Sequence, residues 1–504
     1  MGNSLLQTSS SLRPLAAEVN RAPGEACESR VGRSAWPTRP SIIGLVASVR
    51  VHVLEDLGSI EPARPLLALP DSCNAIWLDT SGGSGHSLLA WMPDRVAEGA
   101  AGKAAGKSPG TSSQDPAQHL ADAAAEENWV SEAGEQAPVG WIGWFGYECG
   151  HAYERYPWVQ REPLGFPDYS FARYRRGVVW DVSGQARLLW AEPMDGRGHA
   201  RERDEVRAEF QRLLNARVTT NEGALAALPR PVNAPEVFKQ GVEELRRRIA
   251  AGDLFQANLS QRFECAAPAD PRALYLKVRR AQPTAYSAYW QDGKGRALLS
   301  WSPECFLSVR GESVETRPIK GTAARSGDVA ADAAAVAALE ASEKERAELT
   351  MIVDMARNDL GRVAPAGGVK VVSVGSVETF PTLFHRVGSV RARWDPRVGL
   401  AGLMRATFPP ASVTGAPKVA ALRAIAELEG EARGPYCGAL GYWLPGEPRG
   451  EFSVLIRTAL VAGGRLSFRA GAGIVWDSDP QREWEEVLLK AAFLRAGLAD
   501  PQPT

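Results

Sequence analysis

The residues of this chain best suited to chemistry surround Lys320, which follows the strand-like run CFLSVRGESVETR within Pro-Ile-Lys-Gly-Thr. An amine that is partly buried at the end of a strand has a lowered pKa and can act as a nucleophile or a base. Gly321 would let a ligand approach the backbone, and Thr322 adds a hydroxyl group. On composition alone a surface turn explains this lysine better, so the chemical interpretation depends on its neighbours.

Two residues are candidate partners of this lysine. Glu304, in Ser-Pro-Glu, lies sixteen residues before Lys320, at the start of the preceding strand. A hairpin would place Glu304 beside Lys320 as an acid or base, and the alternative is an ordinary charge at a strand edge. His385 is the only histidine after residue 199, and a single histidine is more often packed than catalytic.

Four glutamates form two pairs on predicted helices, and the members of each pair are three positions apart: Glu345 with Glu348, and Glu483 with Glu486. This spacing places both members of a pair on one helix face. A solvated helix face is the ordinary interpretation. The other is a site for a hard cation between two facing helices, since a few oxygen ligands with retained waters suit Mg²⁺. Further acidic residues nearby leave the choice of ligands open.

Several positions suit an anionic ligand. Arg457 lies in the apolar run FSVLIRTAL, and a buried arginine needs an anionic ligand or a fixed carboxylate as its partner. Lys418 follows Gly-Ala-Pro at a predicted helix start, where backbone N–H groups favour an anion, although an ordinary capped helix would look the same. Gly471 and Gly473 interrupt a strand, which indicates a bulge or close approach of a ligand to the backbone.

The elements that must position these residues predict an α+β fold, because many antiparallel-looking strands are interspersed with helices. The periodicity predicts helices over EVFKQGVEELRRRIAAG, over Val329 to Arg357 as one helix, over GAPKVAALRAIAELEG and over REWEEVLLKAAFLRAGL. PTLFHRVGSVRARW is interpreted as mixed structure. No Gly-x-Gly-x-x-Gly sequence follows a strand and opens a helix, so a Rossmann sheet is not predicted.

The predicted domain organisation has four parts. Residues 1–38 are predicted to form a flexible tail, and the alternative interpretation of this segment is a transit peptide. Residues 39–220 form an N-terminal subdomain, in which the Ala-, Gly- and Ser-rich segment 95–137 is a mobile insertion. The Pro- and Ala-rich segment 221–235 is a linker, and residues 236–500 form the catalytic domain.

Composition excludes several classes of protein. The 504 residues carry 58 basic and 59 acidic side chains, a net charge of −1, and no basic run long enough for a nucleic-acid or polybasic membrane surface. The six cysteines form no CxxC pair, so neither a zinc ribbon nor a disulfide framework is indicated. No apolar run is long enough to span a membrane, and a reducing, cytoplasmic compartment is expected.

Taken together, the sequence resembles the chorismate-utilising family, which includes anthranilate synthase component I, aminodeoxychorismate synthase component I, and the isochorismate and salicylate synthases. The resemblance covers residues 236 to 497. It is carried in one order by GDLFQANLSQRF, SPE, RPIKGT, AELTMIVDMARNDLGRV, ASVTGAPK, CGALGYW, FSVLIRTAL, RAGAGIVWDSDP and REWEEVLLKA. It implies a large two-subdomain sandwich of antiparallel sheets with helices outside, like that of anthranilate synthase component I.

The resemblance also implies roles for individual residues. Lys320 would attack C2 of chorismate while Glu304 protonates the departing C4 hydroxyl, and ammonia would then add at C4 and expel the lysine. The magnesium site would consist of Glu348 and Glu486 as direct ligands, with Glu345 and Glu483 holding its waters.

The chorismate carboxylates would be held at two places. Arg457 and Tyr442 would hold the enolpyruvyl carboxylate, whereas Gly471, Gly473 and Mg²⁺ would take the ring carboxylate. Ser412 and His385 match family positions close to the ring. A divalent cation and a fixed arginine together can neutralise a dianion such as chorismate.

Within the family, the residue before Gly321 discriminates between products. Anthranilate synthases typically have alanine there, whereas aminodeoxychorismate synthases have the lysine that this chain carries, which implies formation of 4-amino-4-deoxychorismate for p-aminobenzoate and folate. The sequence contains no Gly-x-Cys-x-Gly glutaminase elbow, so a separate glutamine amidotransferase subunit is expected to supply ammonia. The alternatives are anthranilate synthase component I and a catalytically silent chorismate-binding subunit.

Overall fold

A computed structural model describes residues 47–80, 85–101, 115–131, 139–195, 197–218, 224–444 and 448–498. All of them belong to one compact unit, and the predicted tail 1–38 lies outside the described residues. The strands are β1 (Ala47–Ser59), β2 (Asn74–Asp79), β3 (Ser87–Trp91), β4 (Arg95–Gly99), β5 (Glu127–Ser131), β6 (Gly140–Phe145), β7 (Tyr169–Tyr174), β8 (Arg176–Trp180), β9 (Gln185–Pro193), β10 (Arg230–Pro231), β11 (Gln256–Ala266), β12 (Tyr286–Asp292), β13 (Ala297–Ser302), β14 (Cys305–Arg310), β15 (Ser313–Arg317), β16 (Ile319–Ala324), β17 (Val369–Thr379), β18 (Leu383–Arg393), β19 (Gly415–Ala416), β20 (Ala439–Leu444), β21 (Arg449–Val454), β22 (Thr458–Ala462) and β23 (Arg465–Ile474).

The described residues also include α-helices and short 3₁₀ segments. The α-helices are α1 (Ala63–Ala68), α2 (Pro116–Ala124), α3 (Ala200–Asn215), α4 (Pro235–Ala250), α5 (Pro271–Ala281), α6 (Val329–Ala341), α7 (Glu343–Gly361), α8 (Gly399–Thr407), α9 (Lys418–Glu429) and α10 (Pro480–Ala491). No helix within these described ranges is both long and apolar enough to cross a membrane.

The strands form two large sheets. The 13-stranded sheet has the order β10-β11-β23-β22-β13-β12-β2-β3-β8-β9-β1-β5, with β19 paired to β11. The 10-stranded sheet has the order β16-β18-β15-β14-β21-β20-β6-β7-β4, with β17 paired to β18. Strands β1 and β5 are parallel, and the other named pairs are antiparallel. The predicted α+β sandwich of antiparallel sheets with helices outside is confirmed.

The two sheets face each other and carry helices on their outer faces. Apolar residues of both sheets, such as Ile76, Ile142 and Leu440, pack together between them. Because successive residues of a strand face opposite sides, Trp77 instead packs in the core under α3, α4, α5, α9 and α10. Helices α2, α7 and α8 cover the outer face of the smaller sheet, where Leu349 is fully buried.

The structure changes the predicted division of the chain. Strands from both predicted subdomains share each sheet, since β2 pairs with β12 and β6 pairs with β20. The predicted mobile insertion 95–137 contains β4, α2 and β5, and Ala97, Ala117 and Leu120 are buried; residues 102–114 and 132–138 lie outside the described residues. Low hydrophobicity concealed these elements because their small alanine side chains fill the core beside larger residues.

Two elements near Lys320 also differ from the predictions. The single helix predicted from Val329 to Arg357 is broken at Ser342, which closes α6 in an extended conformation and then caps α7 by accepting a hydrogen bond from the Glu345 amide at 3.4 Å. The segment predicted as mixed structure is the long strand β18, which pairs with β15, β16 and β17. Both features position the site described next.

Candidate active site

A hairpin brings Glu304 to Lys320, as the sequence predicts. Strands β14 and β15 pair antiparallel with Cys305 opposite Arg317, so the chain returns to its starting point immediately before Lys320. Glu304 is 4% exposed, hydrogen-bonds to the Ser412 hydroxyl and the Ile319 backbone, and lies within electrostatic range of Lys320.

The Lys320 ammonium lies among charged groups at a half-buried position. Burial lowers the pKa of Lys320, against the opposing effect of Glu348, and nearby Lys490 lowers it further. A lowered pKa increases the fraction of neutral amine, which is the nucleophilic form.

Glu304 has the properties of an acid that holds its proton near neutral pH. Burial raises the pKa of Glu304 from 4.5 to about 7, although the hydrogen bond from Ser412 and the Lys320 charge oppose the shift. A carboxyl group with a pKa near the working pH is suited to general acid–base catalysis. The Glu304–Lys320 pair therefore combines a carboxyl group that is protonated near neutral pH with an amine whose pKa is lowered.

The two predicted glutamate pairs lie in the first two turns of α7 and α10, more than a hundred residues apart in the chain. Their carboxylates interact, because Glu345 and Glu483 both experience the charges of Glu348 and Glu486. Burial and then Glu348 raise the pKa of Glu345. Burial raises the pKa of Glu483 despite a 2.7 Å hydrogen bond from the Ser478 hydroxyl.

The carboxylates fit a hard cation in donor type and charge. Oε2 of Glu483 is buried and has no hydrogen-bond partner among the described residues, which leaves an acceptor that a cation would satisfy. Within the described ranges, however, no three acidic, histidine or cysteine side chains are close enough together to bind one metal ion. Glu486 instead pairs with Lys490 at 2.6 Å, and Glu345 packs against Gly321, with Oε2 2.5 Å from where a Cβ on Gly321 would be. Metal binding would require these carboxylates to reorient.

His385 and Arg457 form a second charged region. His385 is 2% exposed, and its Nδ1 lies 2.9 Å from the Thr322 hydroxyl on the paired strand β16. Burial, and then the Arg457 charge, lower the pKa of His385 to about 4, so the imidazole is neutral near pH 7. Burial lowers the pKa of Arg457, and its guanidinium makes no ion pair with any described residue. That guanidinium is available to an anion.

The glycine-rich part of β23 identifies two residues that the sequence prediction missed. A Cβ on Gly473 would lie 2.6 Å from Gln256 Nε2 and 3.7 Å from Lys320 Nζ, so the absence of a side chain lets all three meet. Gln256 is 2% exposed, and its Oε1 has no hydrogen-bond partner among the described residues. A Cβ on Gly471 would lie 3.1 Å from the Tyr436 hydroxyl. Gln256 and Tyr436 therefore line the same region as Lys320.

The structure does not bring two predicted residues to this region. Tyr442 lines a cavity of about 1020 Å³ together with Tyr286, Arg310 and Glu451. Lys320 does not line this cavity. The sequence YCGALGY contains both Tyr442 and Tyr436. Strand pairing places Tyr442 opposite Glu451, whereas the segment before β20 places Tyr436 beside Gly471.

The second residue is Lys418, predicted to bind an anion at the start of α9. Its Nζ donates to Asp359 Oδ2 at 2.8 Å and to the Thr407 carbonyl at 3.0 Å. Only 11% of the Lys418 side chain is exposed. This ammonium pairs with a buried carboxylate, and substrate binding by Lys418 stays a prediction.

The geometry described above belongs to a chain of the chorismate-binding enzyme family, whose family model matches residues 73–496. Among curated proteins, the chain is 37% identical over 367 residues to anthranilate synthase component 1 of Streptomyces coelicolor, covering 70% of this chain and 71% of that protein. It is 33% identical over 383 residues to aminodeoxychorismate synthase component 1 of Escherichia coli, covering 75% and 82%.

Solved structures support the same fold. Anthranilate synthase component I from Streptococcus pneumoniae superposes with a TM-score of 0.72 and 29% identity, covering 81% of this chain and 92% of that one. The menaquinone-specific isochorismate synthase of Escherichia coli gives a TM-score of 0.67 at 19% identity, over 90% and 95% of the two chains, and shows the fold alone. The resemblance inferred from the motifs is confirmed for the family, whose similar members include enzymes of both product types.

Proposed function

We propose that this protein is an aminodeoxychorismate synthase component I, which converts chorismate and ammonia into 4-amino-4-deoxychorismate. The observation that carries the proposal is the Lys320 amine, with a lowered pKa, beside a Glu304 carboxyl group that has a pKa of about 7. An anthranilate synthase of this family typically has alanine at the lysine position. The lysine therefore favours a covalent route to the amino product.

The proposed reaction has two displacement steps. In the first, the neutral Lys320 amine bonds to C2 of chorismate, the ring double bonds shift, and the C4–oxygen bond breaks as Glu304 donates a proton, releasing water. In the second, ammonia bonds to C4, the double bonds shift back, and the bond between C2 and Nζ breaks. The proton released by the incoming nitrogen restores Glu304, so the cycle closes without another proton source.

Binding of the dianion would be divided between two regions. Arg457 and the Tyr436 hydroxyl are suited to the enolpyruvyl carboxylate, and Gly471 and Gly473 leave room for the ring carboxylate at the backbone. His385, held by Thr322, offers a neutral ring nitrogen close to Arg457. Ser412 fixes Glu304 through its hydrogen bond.

Four glutamates would hold Mg²⁺, with Glu348 and Glu486 as direct ligands and Glu345 and Glu483 as supporting residues. When bound, Mg²⁺ supplies positive charge to neutralise a carboxylate of the substrate. The protein's own part is to place Glu345 and Glu483 in the first turns of α7 and α10, where the helix dipoles favour negative charge. Gln256 meets Lys320 at Gly473, and its unpartnered Oε1 is suited to accept a hydrogen bond from ammonia.

We infer that ammonia comes from a separate glutamine amidotransferase subunit, because similar proteins are named as component 1 of their enzymes. Anthranilate synthase component I is the second candidate function, since the similar Streptomyces coelicolor protein carries that name.

A product assay decides between these functions. Purified protein with chorismate, Mg²⁺ and ammonium should form aminodeoxychorismate, which an added lyase converts to p-aminobenzoate, and should form no fluorescent anthranilate. Glutamine should replace ammonium only when an amidotransferase subunit is added, and EDTA should stop the reaction. Anthranilate as the product would overturn the proposed function, and binding of chorismate without turnover would indicate a silent subunit.

Replacing Tyr436 with phenylalanine is expected to raise KM for chorismate about tenfold, because a hydrogen bond to a charged group contributes roughly 1.5–3 kcal/mol. Tyr442→Phe is the matched control from the same sequence YCGALGY, and its KM should stay within about twofold of the wild-type value. Steady-state kinetics with ammonium measure both. A larger effect at Tyr442 than at Tyr436 would show that the enolpyruvyl carboxylate lies elsewhere.

A further inference from the structure

Arg386 lies next to His385 on β18 but faces the opposite side of the strand. His385 meets Thr322 on β16, whereas the Arg386 side chain extends toward the junction of α6 and α7. Arg386 is only 6% exposed. No carboxylate forms an ion pair with it among the residues that the structure describes.

The Arg386 guanidinium binds main-chain carbonyls at the helix junction. Its Nη1 donates to Leu339 O at 3.1 Å and to Ser342 O at 3.2 Å, and its Nη2 approaches Glu340 O at 3.5 Å. Carbonyls at a helix C-terminus lack partners inside the helix. A planar arginine fork can satisfy several of them at once, which a lysine cannot do.

The Arg386 contacts hold the C-terminal end of α6, a helix that buries few of its residues. Leu339 is the only buried residue of α6, and a Cβ on Gly321 would lie 2.9 Å from its Cδ1. Ser342, whose carbonyl Arg386 binds, also starts α7 by capping the Glu345 amide. The position of the first turn of α7 therefore depends on the Arg386 contacts.

The first turn of α7 carries Glu345 to the candidate metal site. The Glu345 carboxylate lies against Gly321, next to Lys320, and within electrostatic range of Arg386. We propose that Arg386 is a positioning residue, which holds the α6–α7 junction and thereby keeps Glu345 within reach of the divalent cation, which it would support. This inference rests on the proposed magnesium site.

The alternative role for Arg386 is purely electrostatic, and it predicts a change of opposite sign. A positive charge behind Glu345 repels a divalent cation, so its removal would then strengthen metal binding. Loss of positioning instead weakens binding, because residues that orient metal ligands typically contribute about 10–100-fold to metal affinity. The direction of the change separates the two roles.

The test measures metal binding without turnover. Mn²⁺, which prefers the same oxygen ligands and is visible by EPR, is titrated into wild type, Arg386→Gln and Arg386→Lys. Both variants should bind Mn²⁺ about tenfold or more weakly, and amides of residues 339–346 should exchange hydrogen faster. Arg386→Lys keeps the charge, so it remains informative if the glutamine variant fails to fold. Arg391→Gln is the matched control, because Arg391 lies on the same strand and pairs with Glu315 at the surface.

The outcomes are distinct. Tighter binding by Arg386→Gln, or unchanged binding and exchange in both variants, would overturn the positioning role while the proposed function stands. Failure of the wild-type protein to bind Mn²⁺, together with activity in the presence of EDTA, would overturn the metal site itself and the role of Arg386 with it.

Discussion

Replacing Lys320 with alanine is expected to lower kcat for aminodeoxychorismate formation by on the order of 10³-fold or more, because the variant loses the nucleophile that forms the covalent adduct. Chorismate affinity should change little, since Arg457, Tyr436 and the glycines of β23 remain. Steady-state kinetics with ammonium and equilibrium binding of chorismate measure the two effects separately. In wild type, rapid quenching followed by mass spectrometry should find chorismate less one water attached to Lys320.

The matched control is Lys370→Ala, which removes an exposed lysine on β17. Its kcat should stay within about twofold of wild type. Amination at a normal rate by the Lys320→Ala protein would contradict the nucleophile assignment. It would then support direct attack of ammonia at C4, or at C2 if the product were the precursor of anthranilate.

Replacing Glu304 with glutamine is expected to lower kcat by about 10²–10⁴-fold, because the departing hydroxyl loses its proton donor. The pH profile gives a sharper test. Burial raises the pKa of Glu304 to about 7, and the acid must be protonated to act, so wild-type activity should fall as the pH rises through about 7. The residual activity of Glu304→Gln should lack that descending limb.

The same substitution should stabilise the protein at high pH. The pKa of Glu304 is about 7 in the folded state and 4.5 as a model value, so the unfolded state loses its proton first and folding stability falls as the pH rises above 4.5. By pH 8 this ionisation costs about 3 kcal/mol, which glutamine avoids. Urea denaturation at pH 5 and pH 8 measures the difference.

Glu312→Gln, in the turn of the same hairpin, provides the control. The Glu312 side chain is 69% exposed, so its replacement should change neither the pH profile nor the free energy of unfolding appreciably. If Glu304→Gln were less stable than wild type at pH 8, ionisation of the buried Glu304 would not destabilise the folded protein. Such a result would also remove the basis for the descending limb near pH 7.

Local features of the sequence determined the parts of the site that depend on short-range structure. Glu304 reaches Lys320 through a hairpin of adjacent strands, which the turn between two apolar runs predicts. The glutamate pairs share helix faces because three residues make almost one helical turn. The motifs and their order were sufficient to recognise the family, since each motif is a short, local sequence signature.

Long-range packing decided the rest. Lys418 and Asp359 are 59 residues apart, and no local pattern predicts that one buried charge will neutralise another. Tyr436 and Tyr442 are both plausible within YCGALGY, but only the register of β20 against β21 and the path before it separate them. The glycines of β23 predicted a close approach, while the identity of the approaching side chains, Gln256 and Tyr436, depends on contacts between distant parts of the chain.

The sequence alone thus determined the chemical groups and the local elements that carry them, because hairpins and helices are set by neighbouring residues. The tertiary structure decided which groups meet. Both sheets combine strands from the two halves of the chain, and the helix break at Ser342 is held by Arg386 from a distant strand. Such contacts arise from burying apolar faces and satisfying buried polar groups across the whole fold, and short sequence windows carry no information about either.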